Sequence, residues 1–230
     1  MKNLEKYNEL KKRIKSDRMI AIVEMIEYIS IADIGTDHGY IPIFSCLSGT
    51  VMSAIGCDIM PGPLSTAAKN IKSFELDSNI KLRLGNGLEA VKPGEAETII
   101  ITGMGGKTII DILTQGQEVV QKSKQLILSP QSNLPNVRKL VHHFGFVIKN
   151  EILMKENNRY YHILSCTKGN EIYTEEEYLL GKILINKKSL EFLEYLKNES
   201  NHVENILLKP IDYEKRKKLE SLLEIYKRNI

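Results

Sequence analysis

IADIGTDHGYIP, residues 31–42, ends a run of strand-forming residues at Asp33 and then turns through Gly35 and Gly39 in a D-x-G-x-x-x-G pattern. Loops of this kind join a buried parallel strand to the helix that follows it, at the strand end where doubly wound α/β sheets bind their ligands. The two glycines let the backbone approach a ligand closely, and Asp33 can satisfy loop or helix-terminal N–H groups. The middle of the turn, where such loops often carry another glycine, is Asp37-His38. A carboxylate at that point restricts what the loop can hold.

Working outward, apolar residues between Ile20 and Ile29 predict a helix leading into a first strand at Ser30–Ile34. Strands then alternate with helices: Ser53–Asp58, Ile80–Leu84, Thr98–Thr102 and Gln125–Ser129, separated by helices near Ile41–Leu47, Pro63–Phe74, Lys107–Thr114 and Leu134–Phe144. Such alternation is the pattern of βαβ units around a parallel sheet. Two extended runs, Phe146–Met154 and Arg159–Cys166, joined by the turn Lys-Glu-Asn-Asn, predict a β-hairpin closing the sheet edge. From Thr174 on no strand is evident. Leu179, Ile183, Leu190 and Leu193 recur near heptad spacing, and Leu219, Leu222, Leu223 and Tyr226 share a face after Pro210, which predicts a helical hairpin of about 55 residues.

Composition limits the reading further. A chain of 230 residues suits one main domain with an accessory element. No apolar run is long enough to span a bilayer, and the lysine-rich start lacks the apolar core of a signal peptide, so the expected location is the cytoplasm. Cys46, Cys57 and Cys166 are too few and too scattered for a disulfide framework, and nothing suggests a zinc or other metal site. The net charge of +3 is small, but residues 1–18 hold seven Lys or Arg against three acidic residues. That segment reads either as a solvated helix face or as a phosphate-contacting patch. Residues 171–230 carry 11 basic and 12 acidic residues and add no positive excess.

The remaining strand ends carry the chemistry. Asp58 closes the second strand 25 residues after Asp33, near where nucleotide folds place a carboxylate for ribose hydroxyls. The third strand ends in Gly85-Asn86-Gly87, whose amide could hydrogen-bond an adenine edge. The fourth ends in Gly103-Met104-Gly105-Gly106, a backbone that can pass close to a substrate. A dinucleotide would bring a pyrophosphate that Asp37 repels. S-adenosylmethionine brings a sulfonium and an ammonium that Asp37 attracts, and the closing hairpin is the extra edge of the methyltransferase sheets.

In order along the chain, ADIGTDHGYIP, DIMPGPLSTAAKNI, RLGNGLEAV, ITGMGGKTIIDIL and LILSPQSN resemble the bacterial tRNA (adenine-N1)-methyltransferases that modify position 22 of tRNA, the TrmK family. The similarity covers about Ser16 to Cys166. It implies a class I, Rossmann-like S-adenosylmethionine-dependent methyltransferase sheet in residues 1–168, with its basic N-terminal helix, followed by a coiled-coil-like helical domain in 169–230. On that basis the cofactor site comprises Asp33, Gly35, Thr36, Asp37, His38, Gly39, Asp58, Ile59, Asn86, Gly87 and Gly103. Asp37, Tyr40 and Met104 are the candidates for the catalytic centre. Contacts to tRNA are expected from Lys11, Lys12, Arg13, Lys15, Arg18, Gly105 and Gly106, with the amide role falling to Gln131 or Asn133. Pro42, Gly62, Pro63, Leu88, Arg138, Glu151 and Tyr161 also match the family pattern, and Ser16-Asp17-Arg18-Met19 resembles its Ser-x-Arg-Leu. Asn86 departs from it, standing where Asp is usual.

The implied reaction asks little of the protein in proton transfer. Adenine N1 carries a free lone pair at neutral pH, so alignment is the main task. Asp37 is expected to hold the cofactor side and to accept a hydrogen bond from the adenine amine; the alternative is that it caps the next helix. His38 reads as a hydrogen-bonded loop residue rather than a base, and Tyr40 either stacks on an extruded base or packs. A monomer acting on tRNA is expected. The competing readings are a methyltransferase for another RNA or a small molecule, and a non-catalytic RNA-binding protein with this fold.

Overall fold

The computed structural model describes residues 2–230. Two helices, α1 (Lys2–Ile14) and α2 (Asp17–Glu24), precede a seven-stranded sheet. Its strands are β1 (Ser30–Ile34), β2 (Ser53–Asp58), β3 (Ile80–Leu84), β4 (Thr98–Thr102), β5 (Gln125–Ser129), β6 (Phe146–Glu156) and β7 (Arg159–Lys168). They lie in the order β3-β2-β1-β4-β5-β7-β6, parallel through β5 and antiparallel at β7 and β6. The chain reverses direction across the sheet between β1 and β4, the switch point where such folds open a crevice. All five parallel strands and the closing hairpin are where the sequence places them.

Alternation within the strands decides which layer each residue joins. Ile99 and Ile101 of β4 face α5 (Gly106–Gln115), α6 (Gln117–Lys122) and α7 (Leu134–His143), together with Leu126 and Leu128 of β5. Ile100 and Ile127 face the other layer, built from α2, α3 (Tyr40–Leu47) and α4 (Pro61–Ser73). The layer also takes in α1: Leu10 is fully buried there and Tyr7 meets Phe44 edge to face at 5.4 Å. Lys11, Lys12, Arg13 and Lys15 remain exposed on the outer side of that docked helix.

Three expectations need correction. The helix predicted over Ile20–Ile29 starts earlier and ends at Glu24, leaving Ile29 55% exposed. Ser16 caps it by accepting the N–H of Met19, and the buried Gln125 captures the segment beyond, donating to the Met25 carbonyl at 2.7 Å and accepting from Glu27 N–H at 3.1 Å. The hairpin turn is two residues rather than four: Glu156 pairs with Arg159, and Asn157 and Asn158 both adopt left-handed conformations. That is the backbone a tight hairpin turn requires, and asparagine tolerates it.

The heptad reading through Leu179, Ile183, Leu190 and Leu193 also fails. The chain breaks at Gly181 (φ 92°) and Lys188 (φ 46°), giving α8 (Glu175–Leu180), α9 (Lys182–Lys187) and α10 (Leu190–Leu207). Leu190 is 82% exposed, while Phe192, Leu196 and Val203 form the seam against Tyr226 of α11 (Tyr213–Asn229). Leu153 of β6 joins the same cluster and seats the α10–α11 hairpin on the sheet edge. The break at Gly181 follows from what lies beneath it: a Cβ there would sit 2.5 Å from Glu151 Oε2 and 3.0 Å from Arg138 Nη2.

Candidate functional site

A cleft of about 550 Å³ opens at the carboxyl ends of β1, β2, β3 and β4. Its floor is the opening loop, drawn onto β2 by the N–H groups of Gly35 and Thr36, both donating to the Cys57 carbonyl at 2.8 and 2.9 Å. The parallel pairing places Asp33 of β1 opposite Gly56, and Asp58 ends the neighbouring strand. Asp58 is held by the backbone: Oδ2 accepts the N–H of Asp37 at 3.2 Å and Oδ1 that of Met60 at 2.9 Å. Asp37 itself takes a left-handed conformation (φ 50°), and its side chain is mostly exposed with Oδ2 3.6 Å from His38 Nε2. It does not cap α3, whose N-cap position is Gly39 without a side-chain cap.

Asp33 is almost fully buried, and burial pushes its carboxyl up to about 7. Thr36 opposes the rise, and the charges of Asp58 and Asp37 add to it. A carboxyl raised in this way favours the folded state below its unfolded pKa and loses that advantage as pH climbs through about 7. A bound cation reverses the balance by favouring the ionised form. Binding of a cationic ligand is therefore expected to strengthen as pH rises from 6 to 8, with proton release near pH 7. Isothermal titration calorimetry with S-adenosylmethionine in buffers of different ionisation enthalpy measures both. Binding that is flat across this range would remove Asp33 from the site.

The remaining walls come from two glycine-bearing loops. Asn86 precedes a 3-10 turn (Gly87–Ala90) and its side chain makes no cap to that turn, so the amide is not spent locally. Met104 reaches across from β4 to the opening loop, where a Cβ on Gly35 (φ 76°) would collide with its terminal methyl. Thr108 and Ile112, one turn apart on α5, complete the wall together with Met19 and Arg18 from α2. Thr108 and Ile112 were not among the predicted site residues, and their four-residue spacing on α5 was the available signal; Met19 was noted only as part of the Ser-x-Arg-Leu resemblance.

Of the predicted site residues, Asp33, Gly35, Thr36, Asp37, His38, Asp58, Ile59, Asn86, Gly87 and Gly103 line the cleft, as do Tyr40, Met104 and Arg18. Others lie elsewhere. Gly39 faces Ala67 of α4, at 3.2 Å from the position of a Cβ. Gly106 packs against the backbone of Ser132, donates its N–H to Ser132 Oγ at 3.2 Å, and leaves no room for a side chain; Gln131 N–H bonds the Met104 carbonyl at 2.9 Å. Gly105, Gly106, Gln131 and Asn133 thus belong to a seam between two loops, beside the cleft rather than in its lining. Lys11, Lys12 and Lys15 are exposed on the adjacent surface, and Arg13 bends to Tyr40, with Nη2 3.4 Å from its hydroxyl.

The donor set suits S-adenosylmethionine. Three carboxylates on the floor match a ligand with two positive centres and would repel a pyrophosphate, and the fixed Asp58 matches a diol.

A family model described as TrmK, tRNA (adenine(22)-N(1))-methyltransferase, matches residues 31–228. The chain is 32% identical over 206 residues to the tRNA (adenine(22)-N(1))-methyltransferase of Bacillus subtilis, covering 86% of this chain and 85% of that one. Among solved structures it is similar to Mycoplasma capricolum TrmK in complex with S-adenosyl-homocysteine, with a TM-score of 0.84 at 30% identity over 93% of this chain and 96% of that one. It is similar also to a Streptococcus pneumoniae tRNA (m1A22) methyltransferase homologue in complex with S-adenosyl-L-methionine, with a TM-score of 0.87 at 28% identity over 93% of this chain and 98% of that one.

Proposed function

The chain belongs to the tRNA (adenine(22)-N(1))-methyltransferase family, and from that premise we infer how its cleft carries out the reaction. It is an S-adenosylmethionine-dependent methyltransferase that methylates N1 of adenosine 22 in tRNA. The observation that carries the reading of the site is the convergence of Asp33, Asp37 and Asp58 on one glycine-walled cleft at the switch point.

When bound, S-adenosylmethionine supplies an electrophilic methyl on a sulfonium. Asp58, already oriented by two N–H groups, accepts the ribose hydroxyls. Asp33 and Asp37 offset positive charge, and Asn86 presents its amide to the adenine edge. Tyr40 and Met104 border the space left for the target base, which must leave its stack before N1 is accessible. The cofactor would supply its methyl to the N1 lone pair, with the electrons of the S–C bond staying on sulfur. Asp37 accepts a hydrogen bond from the exocyclic amine, which becomes more acidic and more positive as N1 is alkylated. Holding the reactants in line accounts for most of the rate, since no proton has to move first.

The basic residues on and beside α1, namely Lys11, Lys12, Arg13, Lys15 and Arg18, contact tRNA phosphates. Lys11, Lys12, Arg13 and Lys15 are exposed, Arg13 reaches Tyr40 at the cleft and Arg18 lines it, which supports this assignment. Residues 1–168 act as the methyltransferase domain and 169–230 as an accessory domain that helps to grip the tRNA. Packing of the α10–α11 seam within the chain, and against Leu153, supports action as a monomer. No described helix is long and apolar enough to cross a membrane, in keeping with a cytoplasmic enzyme of tRNA maturation.

Incubating the chain with labelled S-adenosylmethionine and unmodified tRNA, then mapping methylated nucleosides by mass spectrometry, tests the reading. N1-methyladenosine at position 22 is the expected product. Cofactor binding with no methylated nucleoside would overturn it.

A further inference from the structure

The elbow between α1 and α2 depends on one carboxylate from a distant part of the chain. Lys15 turns through a left-handed conformation (φ 51°), closing α1. Ser16 Oγ then donates to Glu156 Oε1 at 3.1 Å, and the N–H of Arg18 donates to the same oxygen at 3.2 Å. Glu156 is the last residue of β6, at the tip of the closing hairpin. Because Ser16 Oγ also accepts the N–H of Met19 and so starts α2, the hairpin tip fixes both the start of the helix and the direction in which Arg18 leaves it.

That direction has a consequence at the cleft. The Arg18 guanidinium lies over the ring of Tyr161, on β7 of the same hairpin, with its central carbon 4.5 Å from the ring centroid. It lines the cleft beside Met19 and Tyr40, and its Nε is buried without a hydrogen-bond partner among the described residues. A guanidinium seated on an aromatic face loses little freedom when it binds an anion, and its fork of donors matches two phosphate oxygens. An unused buried donor at the mouth of a cleft is costly unless a ligand meets it.

We propose that Glu156 is a positioning residue for tRNA binding: it holds the α1–α2 elbow so that Arg18, seated on Tyr161, meets a phosphate of the strand that delivers the target adenosine. This rests on the reading of tRNA as substrate. The test is equilibrium binding of unmodified tRNA to the full chain, so that an absence of methyl transfer would count against the function and still leave this inference decided.

Glu156→Ala is expected to weaken tRNA binding about tenfold, and Arg18→Gln by about the same factor. The double variant should also lose about tenfold rather than a hundredfold, because both changes remove one contact. Glu156→Gln keeps an acceptor oxygen for Ser16 and Arg18 and should bind within about threefold of the unaltered chain. Tyr161→Leu, which removes the seat and leaves the elbow tied, should weaken tRNA binding about threefold, and cofactor affinity should be unchanged in Glu156→Ala, Glu156→Gln and Tyr161→Leu, whose side chains lie outside the cleft lining. Losses that multiply in the double variant would overturn the proposal, as would Glu156→Ala binding tRNA normally or losing cofactor affinity in parallel.

Discussion

Asp58→Ala is expected to weaken S-adenosylmethionine binding about 100-fold, the loss of two hydrogen bonds to a charged acceptor at roughly 1.5 kcal/mol each. The size follows from preorganisation. Asp37 N–H and Met60 N–H each hold one carboxylate oxygen, so the side chain has little freedom to lose in meeting a diol. Asp37→Asn is the contrasting case: cofactor affinity within about threefold, and turnover at saturating substrates down about 30-fold, because its charge matters most as the base becomes cationic. Calorimetry and single-turnover methyl transfer separate the two effects. Should Asp37→Asn keep full turnover while binding cofactor and tRNA normally, the catalytic role of that carboxylate fails. If Asp58→Ala binds within fivefold, the ribose assignment fails.

The contrast between these carboxylates also shows what could be read in the chain beforehand. Ile99-Ile100-Ile101 and Leu126-Ile127-Leu128 are short apolar runs bounded by polar residues, and a strand buried on both faces writes itself that way in any sequence. Asp33, Asp58 and Asn86 were legible because topology brings strand ends to one edge, so their position in the chain implies their position in space. What was not legible rests on pairs far apart in sequence. Gln125 ends α2 from 100 residues away, and Glu156 ties Ser16 from 140. Neither leaves a local pattern. Gly105 and Gly106 were read as a close approach to substrate; at Gly106 the structure shows a close approach by the Ser132 backbone beside the cleft, and a glycine says nothing about what approaches it.

Arg138 and Glu151 form a fully buried ion pair, and replacing either by Ala is expected to cost about 3–5 kcal/mol of stability. Both side chains are 0% exposed, joined at 2.6 Å between Nη2 and Oε1. Arg138 Nη1 also donates to the carbonyls of Tyr178 and Leu179 at 2.6 and 3.0 Å, so it closes the end of α8 as well as neutralising β6. Removing one partner strands the other charge in the core, whereas Arg138→Met with Glu151→Leu removes both charges and should recover much of the loss. Acid should mimic the Glu151 deletion. Although burial pushes the Glu151 carboxyl up, Arg138 and His162 hold it below the usual range, so its stabilisation is present at neutral pH and fades as pH falls through the folded value. Burial holds His162 low, adding a group of the same sign. Urea melts of the three variants at pH 7 and stepwise down to pH 3 measure both effects, and a single-alanine cost under 1 kcal/mol would show that this pair does not fasten α8 and α9 to the sheet.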